Sequence, residues 1–201
     1  ITGAGRGIGR TIALAYAREG ATLSLAARSI AELEETADEC RKLGAEVLVT
    51  RTDVTDPDDV ERLVDATVLR YAAVDILVNN AGIAGPIGSL QDNDVTAWIN
   101  TVQVNLIGVY LCCRAVVPVM RRSGSGRIVN LSGAGATNAW ANLSAYCSSK
   151  AAVVRLTEVL AMELSDTGIT VNALGPGSVH TQMWDEMTEA AAEAGADLIH
   201  E

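Results

Sequence analysis

Tyr146 and Lys150 stand four residues apart at the start of a helical pattern carried by Val153, Leu156, Val159 and Leu160. That spacing sets a phenol and an ammonium on one helix face, within reach of each other. A phenol titrates near pH 10, and a neighbouring cation favours the phenolate. Lys150 is therefore expected to lower the Tyr146 pKa, so that the oxygen can give or take a proton at neutral pH. An alcohol or carbonyl needs such a partner while a hydride moves. Any helix can carry Tyr-x-x-x-Lys, so the pair draws its meaning from its company.

That company begins at the other end of the chain. Thr2-Gly3-Ala4-Gly5-Arg6-Gly7-Ile8-Gly9 runs directly into a helical pattern through Ile12, Leu14 and Ala15. Glycines allow a tight turn and close approach to a phosphate, while a helix N-terminus offers unpaired N–H groups and a positive dipole end. The spacing is T-G-x-x-x-G-x-G, not G-x-G-x-x-G, and the bland alternative is a turn that binds nothing. About twenty residues on, an acid would accept ribose hydroxyls, whereas an arginine would accommodate a 2′-phosphate. The chain reads Leu25-Ala26-Ala27-Arg28-Ser29, with no acid at the turn. Arg28 can pair with a phosphate, Ser29 can donate to it, and Arg6 can approach from the loop. NADP(H) is expected, with NAD(H) as the alternative if both arginines are merely solvated.

Short apolar runs at 21–26, 46–51, 75–79, 127–131 and 169–174 alternate with helical patterns at 30–43, from Pro57, and at 94–121, 144–165 and 181–194. Near-continuous apolar strands separated by amphipathic helices predict an α/β fold, a doubly wound parallel sheet with helices on both faces. No linker, repeat or charge block divides residues 1–201, which read as one domain. Only Ile1 and Thr2 precede the glycine loop and no strand follows the last helix, so both ends of such a fold are expected to lie outside this sequence.

Fifteen Lys and Arg against 25 Asp and Glu leave a net charge of −10 over 201 residues. Such a surface is a poor partner for nucleic acid or anionic lipid. The uncharged stretches 95–113 and 128–149 are studded with Asn, Gln, Thr, Ser and Gly, so neither reads as a membrane span. No secretory leader pattern appears. Cys40, Cys112, Cys113 and Cys147 form no C-x-x-C, and only His180 and His200 could join them, so reduced thiols, no metal site and a cytoplasmic setting are expected.

Taken in order, the pieces resemble the short-chain dehydrogenase/reductase family across essentially the whole chain. They are TGAGRGIG at 2–9, Asp53-Val54, Asn79-Asn80-Ala81-Gly82, Asn105 in VNLIG, Ser132, Tyr146-x-x-x-Lys150 and Pro176-Gly177-x-x-x-Thr181. The resemblance implies a Rossmann-like oxidoreductase with Tyr146 as general acid/base and Lys150 lowering its pKa and binding the nicotinamide ribose. It further implies Ser132 as a donor to the substrate oxygen and Asn105 as holder of a proton-relay water. Gly3, Arg6, Gly7, Ile8, Gly9, Arg28 and Ser29 would receive the cofactor, Asp53 and Val54 the adenine, and Asn80, Ala81 and Gly82 the adenosine ribose. Val179 and Thr181, after Pro176 and Gly177, would bind the carboxamide. A homotetramer or homodimer built on the helices at 94–121 and 144–165 is implied as well, with a small carbonyl or alcohol as substrate. The family's serine usually lies thirteen residues before the tyrosine; here that position is Gly133, and Ser132 lies fourteen before. A connecting loop one residue longer is expected to restore the hydroxyl. A non-catalytic cofactor sensor on the same fold is the alternative of another class.

Overall fold

The computed structural model describes residues 1–177 and 179–193, so His200 and position 194 of the last expected helix lie outside the described residues. Strand β1 (Leu23–Ala27) pairs in parallel with β2 (Val47–Arg51), and β4 (Gly126–Leu131) lies parallel between β3 (Ile76–Asn79) and β5 (Ile169–Leu174). Residues 1–4 join the two pieces. Ala26 N donates to Ile1 O at 3.0 Å, Ala4 N to Ala26 O at 3.2 Å, and Thr2 N to Val78 O at 3.0 Å. The spatial order is therefore β2, β1, residues 1–4, β3, β4, β5, reversing direction of travel at the glycine loop. In open α/β sheets the crevice beyond the strand ends at such a reversal is where ligands bind.

Helices α1 (Gly7–Arg18), α2 (Ile30–Lys42), α3 (Pro57–Tyr71), α4 (Val95–Val102), α5 (Gly108–Ser123), α6 (Ser144–Glu163) and α7 (Gln182–Glu193) connect the strands. Four begin on side-chain caps: Ser29 accepts from Glu32 N, Asp56 from Asp58 N and Asp59 N, Asp94 from Ala97 N, and Thr181 from Trp184 N. Each cap satisfies N–H groups that a helix start leaves free. α1 has no such cap.

The helix expected over 94–121 is not uniform, because Gln103–Ile107 winds as a π-turn between α4 and α5. A π-turn is an inserted residue, invisible to a 3.6-residue periodicity and frequent at functional sites. By length and composition Val95–Ser123 suffices to cross a membrane, at mean hydropathy 1.6, yet half of that window is buried within the fold. Val109, Cys112, Val116 and Met120 pack there with Val60, Ile128 and Val153. The other sheet face carries a smaller cluster of Ala13, Leu25, Leu33, Ala37 and Cys40. Burial pushes the Cys112 and Cys113 thiols up to about 12, which keeps them unreactive.

A buried polar line crosses the larger core. Asn79 Nδ2 donates to Asn130 Oδ1 at 2.9 Å, Asn130 Nδ2 to Thr157 Oγ1 at 2.9 Å, and the Thr157 hydroxyl to Val153 O at 2.8 Å. It ties β3 through β4 to α6, the helix carrying Tyr146 and Lys150. Asn130→Ala strands the Asn79 donor on one side and the Thr157 acceptor on the other, and is expected to cost about 2–4 kcal/mol, measured by urea unfolding.

Candidate active site

Beyond the C-terminal ends of β1 to β4 a cleft of about 380 Å³ opens between the glycine loop, the start of α6 and the start of α7. It is lined by Gly3, Arg6, Gly7 and Ile8; by Arg28 and Ser29 after β1; and by Asp53 and Val54 after β2. Asn80, Ala81 and Gly82 after β3, Ser132 after β4, Tyr146 and Lys150 on α6, and Pro176 and Thr181 complete the residues that the spacing brought forward. Gly9, Asn105, Gly177 and Val179 do not line it.

The loop is held from below. Thr2 Oγ1 accepts from Asn80 N at 3.0 Å and Ala81 N at 3.1 Å, while Asn80 Nδ2 donates to Thr2 O and Gly3 O, each at 3.0 Å. Gly9 belongs to this support, because a Cβ there would stand 2.2 Å from Gly3 O. At the mouth Arg6 donates to Gln182 Oε1 at 2.6 Å and lies 4.0 Å from Glu32, so it braces the two walls. Arg28 is exposed and makes no ion pair among the described residues. Burial works against the charge of Asp53, but hydrogen bonds from Thr55 N and Oγ1, with Arg28 and Arg51 nearby, hold its carboxyl below the ordinary value.

Lys150 is 5% exposed; its ammonium donates to Leu131 O at 2.9 Å and lies 5.9 Å from the Tyr146 ring centroid. Burial lowers its pKa to about 8. Tyr146 departs from expectation: burial, with Cys147 adding, pushes its phenol above the usual 10. The lysine stands over the ring and donates to the Leu131 carbonyl, and burial sets the direction of the phenol's shift. Ser132 lines the same cleft. Its hydroxyl donates to Lys150 O at 3.3 Å, and the residue facing the Tyr146 oxygen is Gly133, where a Cβ would lie 2.4 Å from Oη. Asn105, fully buried in the π-turn, uses its amide on Ile83 N, Ile83 O and Ser149 Oγ at 2.8, 2.9 and 3.0 Å. Its side chain thus braces the loop after β3.

The family model for short chain dehydrogenases matches residues 1–192. This chain belongs to the short-chain dehydrogenase/reductase family. It is 40% identical over 194 residues to (2S)-[(R)-hydroxy(phenyl)methyl]succinyl-CoA dehydrogenase subunit BbsD of Thauera aromatica, covering 94% of this chain and 75% of the relative. A variant of actinorhodin polyketide ketoreductase with NADPH superimposes with TM-score 0.92 at 38% identity, covering 96% of this chain and 74% of that one. NAD+-bound xylitol dehydrogenase does so with TM-score 0.94 at 33% identity, covering 97% and 75%. The protein is thus an NAD(P)-dependent oxidoreductase acting on small molecules.

The chain's own residues fit a dinucleotide. The uncapped start of α1 faces a loop packed so closely that a Cβ at Gly3 would meet Asn80 Nδ2 at 2.8 Å, which leaves N–H groups free for phosphate oxygens. As a short-chain dehydrogenase/reductase it also departs from expectation after β5: Gly177 has open space around it and Val179 is exposed, leaving Pro176 and Thr181 at the cleft. Thr181 caps α7, accepting from Trp184 N at 3.2 Å. Met183 lines the cleft, whereas Trp140 and Trp184 meet edge to face at 6.5 Å beside it. Ala27 and Thr52 were missed although they close β1 and β2, where strand-end position alone points to a ligand. Glu32 and Gln182 were missed because no local pattern signals that α2 and α7 meet across Arg6.

Two measurements follow from this geometry. Gly9→Ala forces its methyl onto a main-chain oxygen, and NADPH affinity is expected to fall at least tenfold with a lower melting temperature, by fluorescence titration and calorimetry. For Lys150, the folded state binds fewer protons than the unfolded state between pH 8 and 10.5. The cost of burying its charge, on the order of 3 kcal/mol, is complete below pH 8 and is lost as pH rises toward 10.5. Denaturant unfolding of the unliganded protein should therefore gain stability across that window relative to Lys150→Met.

Proposed function

We propose that this enzyme is an NADP(H)-dependent reductase or dehydrogenase of a carbonyl/secondary-alcohol pair, with Tyr146 as the general acid/base. The observation that carries the reading is that Tyr146 and Lys150 enter the same cleft as the glycine loop and Arg28. When bound, the nicotinamide supplies or accepts the hydride. In the reducing direction the Tyr146 hydroxyl donates its proton to the substrate oxygen as charge builds there. In the oxidising direction the phenolate accepts the alcohol proton. The buried Lys150 ammonium, one helical turn away, offsets the negative charge left on Tyr146. Its placement against Leu131 O also holds α6, and hence the phenol, in register with the end of β4.

Arg28 and Ser29 support the 2′-phosphate preference, standing where no acid closes β1. Glu32, one turn into α2 and within the cleft, favours the NAD(H) reading, and the NADPH- and NAD+-bound neighbours include both kinds. Four cysteines without a disulfide suit a reducing cytoplasm. Exposed Ile99, Tyr110, Val159 and Met162 on α4, α5 and α6 suit the pairing of copies into a homodimer or homotetramer.

Tyr146→Phe is expected to lower kcat by at least a thousandfold while NADPH affinity changes less than threefold; turnover retained in that variant refutes the assigned role. Arg28→Asp should weaken NADPH at least tenfold and NADH little, by paired titrations. Equal losses for both cofactors would leave the phosphate reading without support.

A further inference from the structure

The Tyr146 ring lies against Gly133 and Gly135. Built at Gly133, a Cβ would stand 2.4 Å from Tyr146 Oη and 3.3 Å from Cζ; built at Gly135, it would meet Cδ1 and Cε1 of the same ring at 3.1 and 3.2 Å. Neither clash comes from the backbone at 133, whose φ of 173° any residue adopts. The Tyr146 oxygen itself occupies the space a side chain there would need. Ser132, the neighbouring hydroxyl, is 6% exposed and donates to the main-chain oxygen of Lys150. No hydrogen bond joins it to Tyr146 among the described residues.

We infer that Gly133 is the residue that sets the position of the reacting phenol, and that Ser132 is a positioning residue acting through the main chain of α6 without touching the substrate oxygen. The inference deepens the oxidoreductase reading and rests on it for its kinetic arm alone. One protein hydroxyl, that of Tyr146, then meets the reacting oxygen. Position 133 has to remain glycine for that hydroxyl to stay in place, because a displacement of even a fraction of an ångström is felt in the transition state.

The test combines a double-mutant cycle with kinetics on the full chain. Gly133→Ala should lower Tm by roughly 5 °C in the natural background and by no more than half as much in Tyr146→Phe, where the colliding oxygen is gone. Gly133→Ala should also lower kcat at least tenfold with NADPH affinity within twofold. Ser132→Ala should lower kcat less than tenfold without changing KM, and Ser132→Thr, which keeps the hydroxyl, should restore it. Equal Tm losses in both backgrounds, or a Gly133→Ser variant faster than the natural chain, overturn the inference. So does a loss of a hundredfold or more in Ser132→Ala, the magnitude of a lost transition-state donor. The Tm cycle needs no substrate, so absent turnover in the natural chain would count against the oxidoreductase reading while the cycle still decides this one.

Discussion

An ammonium withdrawn from water is costly unless its protons find oxygens, and the floor of the cleft is organised round that requirement. Lys150 is nearly fully buried and meets it with the carbonyl at the end of β4. The contact fixes the first turns of α6 against the sheet. Ser132 repeats it in reverse, its hydroxyl reaching the main chain of Lys150. The Asn79, Asn130 and Thr157 line anchors the same helix farther along. Tyr146 is therefore placed by what holds its neighbours more than by bonds of its own. Its ring needs only a flat bed, which Gly133 and Gly135 supply.

The cofactor side of the cleft follows a different rule. There the loop has to leave N–H groups unpaired, so every force that shapes it comes from behind. Four hydrogen bonds run from Asn80 and Ala81, beyond the end of β3, to Thr2 and Gly3 of the loop. Arg6 spans from α2 to α7, linking parts of the chain 176 residues apart through Gln182. Asn105 performs the same service on the loop after β3, its amide held by Ile83 and Ser149. The polar groups that could be mistaken for ligands are thus mostly struts, while the groups left free, Arg28 and the start of α1, are the ones suited to a phosphate.

Much of this was legible from residue order. Strand limits fell within two residues of expectation, as at 169–174, because a parallel strand covered on both faces must be apolar throughout. The start of α3 was marked by Pro57, while the Ser29 and Asp56 caps emerged only with the structure. The π-turn at Gln103–Ile107 was not legible, since one inserted residue shifts a helical stripe too little to register. Nor was the raised pKa of Tyr146. Spacing places a cation beside a phenol, but burial sets the direction of the shift here, and burial is a property of the packed molecule.

By itself the sequence determined which elements form and in what order, and it brought a glycine loop, a tyrosine and a lysine to one end of a parallel sheet. Those are consequences of local chemistry: apolar period, helix caps, and glycines where backbones crowd. Only the tertiary structure decided which side chains face the cleft, because facing depends on a rotation of a few tens of degrees at the end of a strand. At the end of β4 that rotation turns Ser132 toward the Lys150 main chain and sets Gly133 beneath the phenol. A count of residues from Tyr146 cannot supply that orientation, since direction is set by the elements packed on either side.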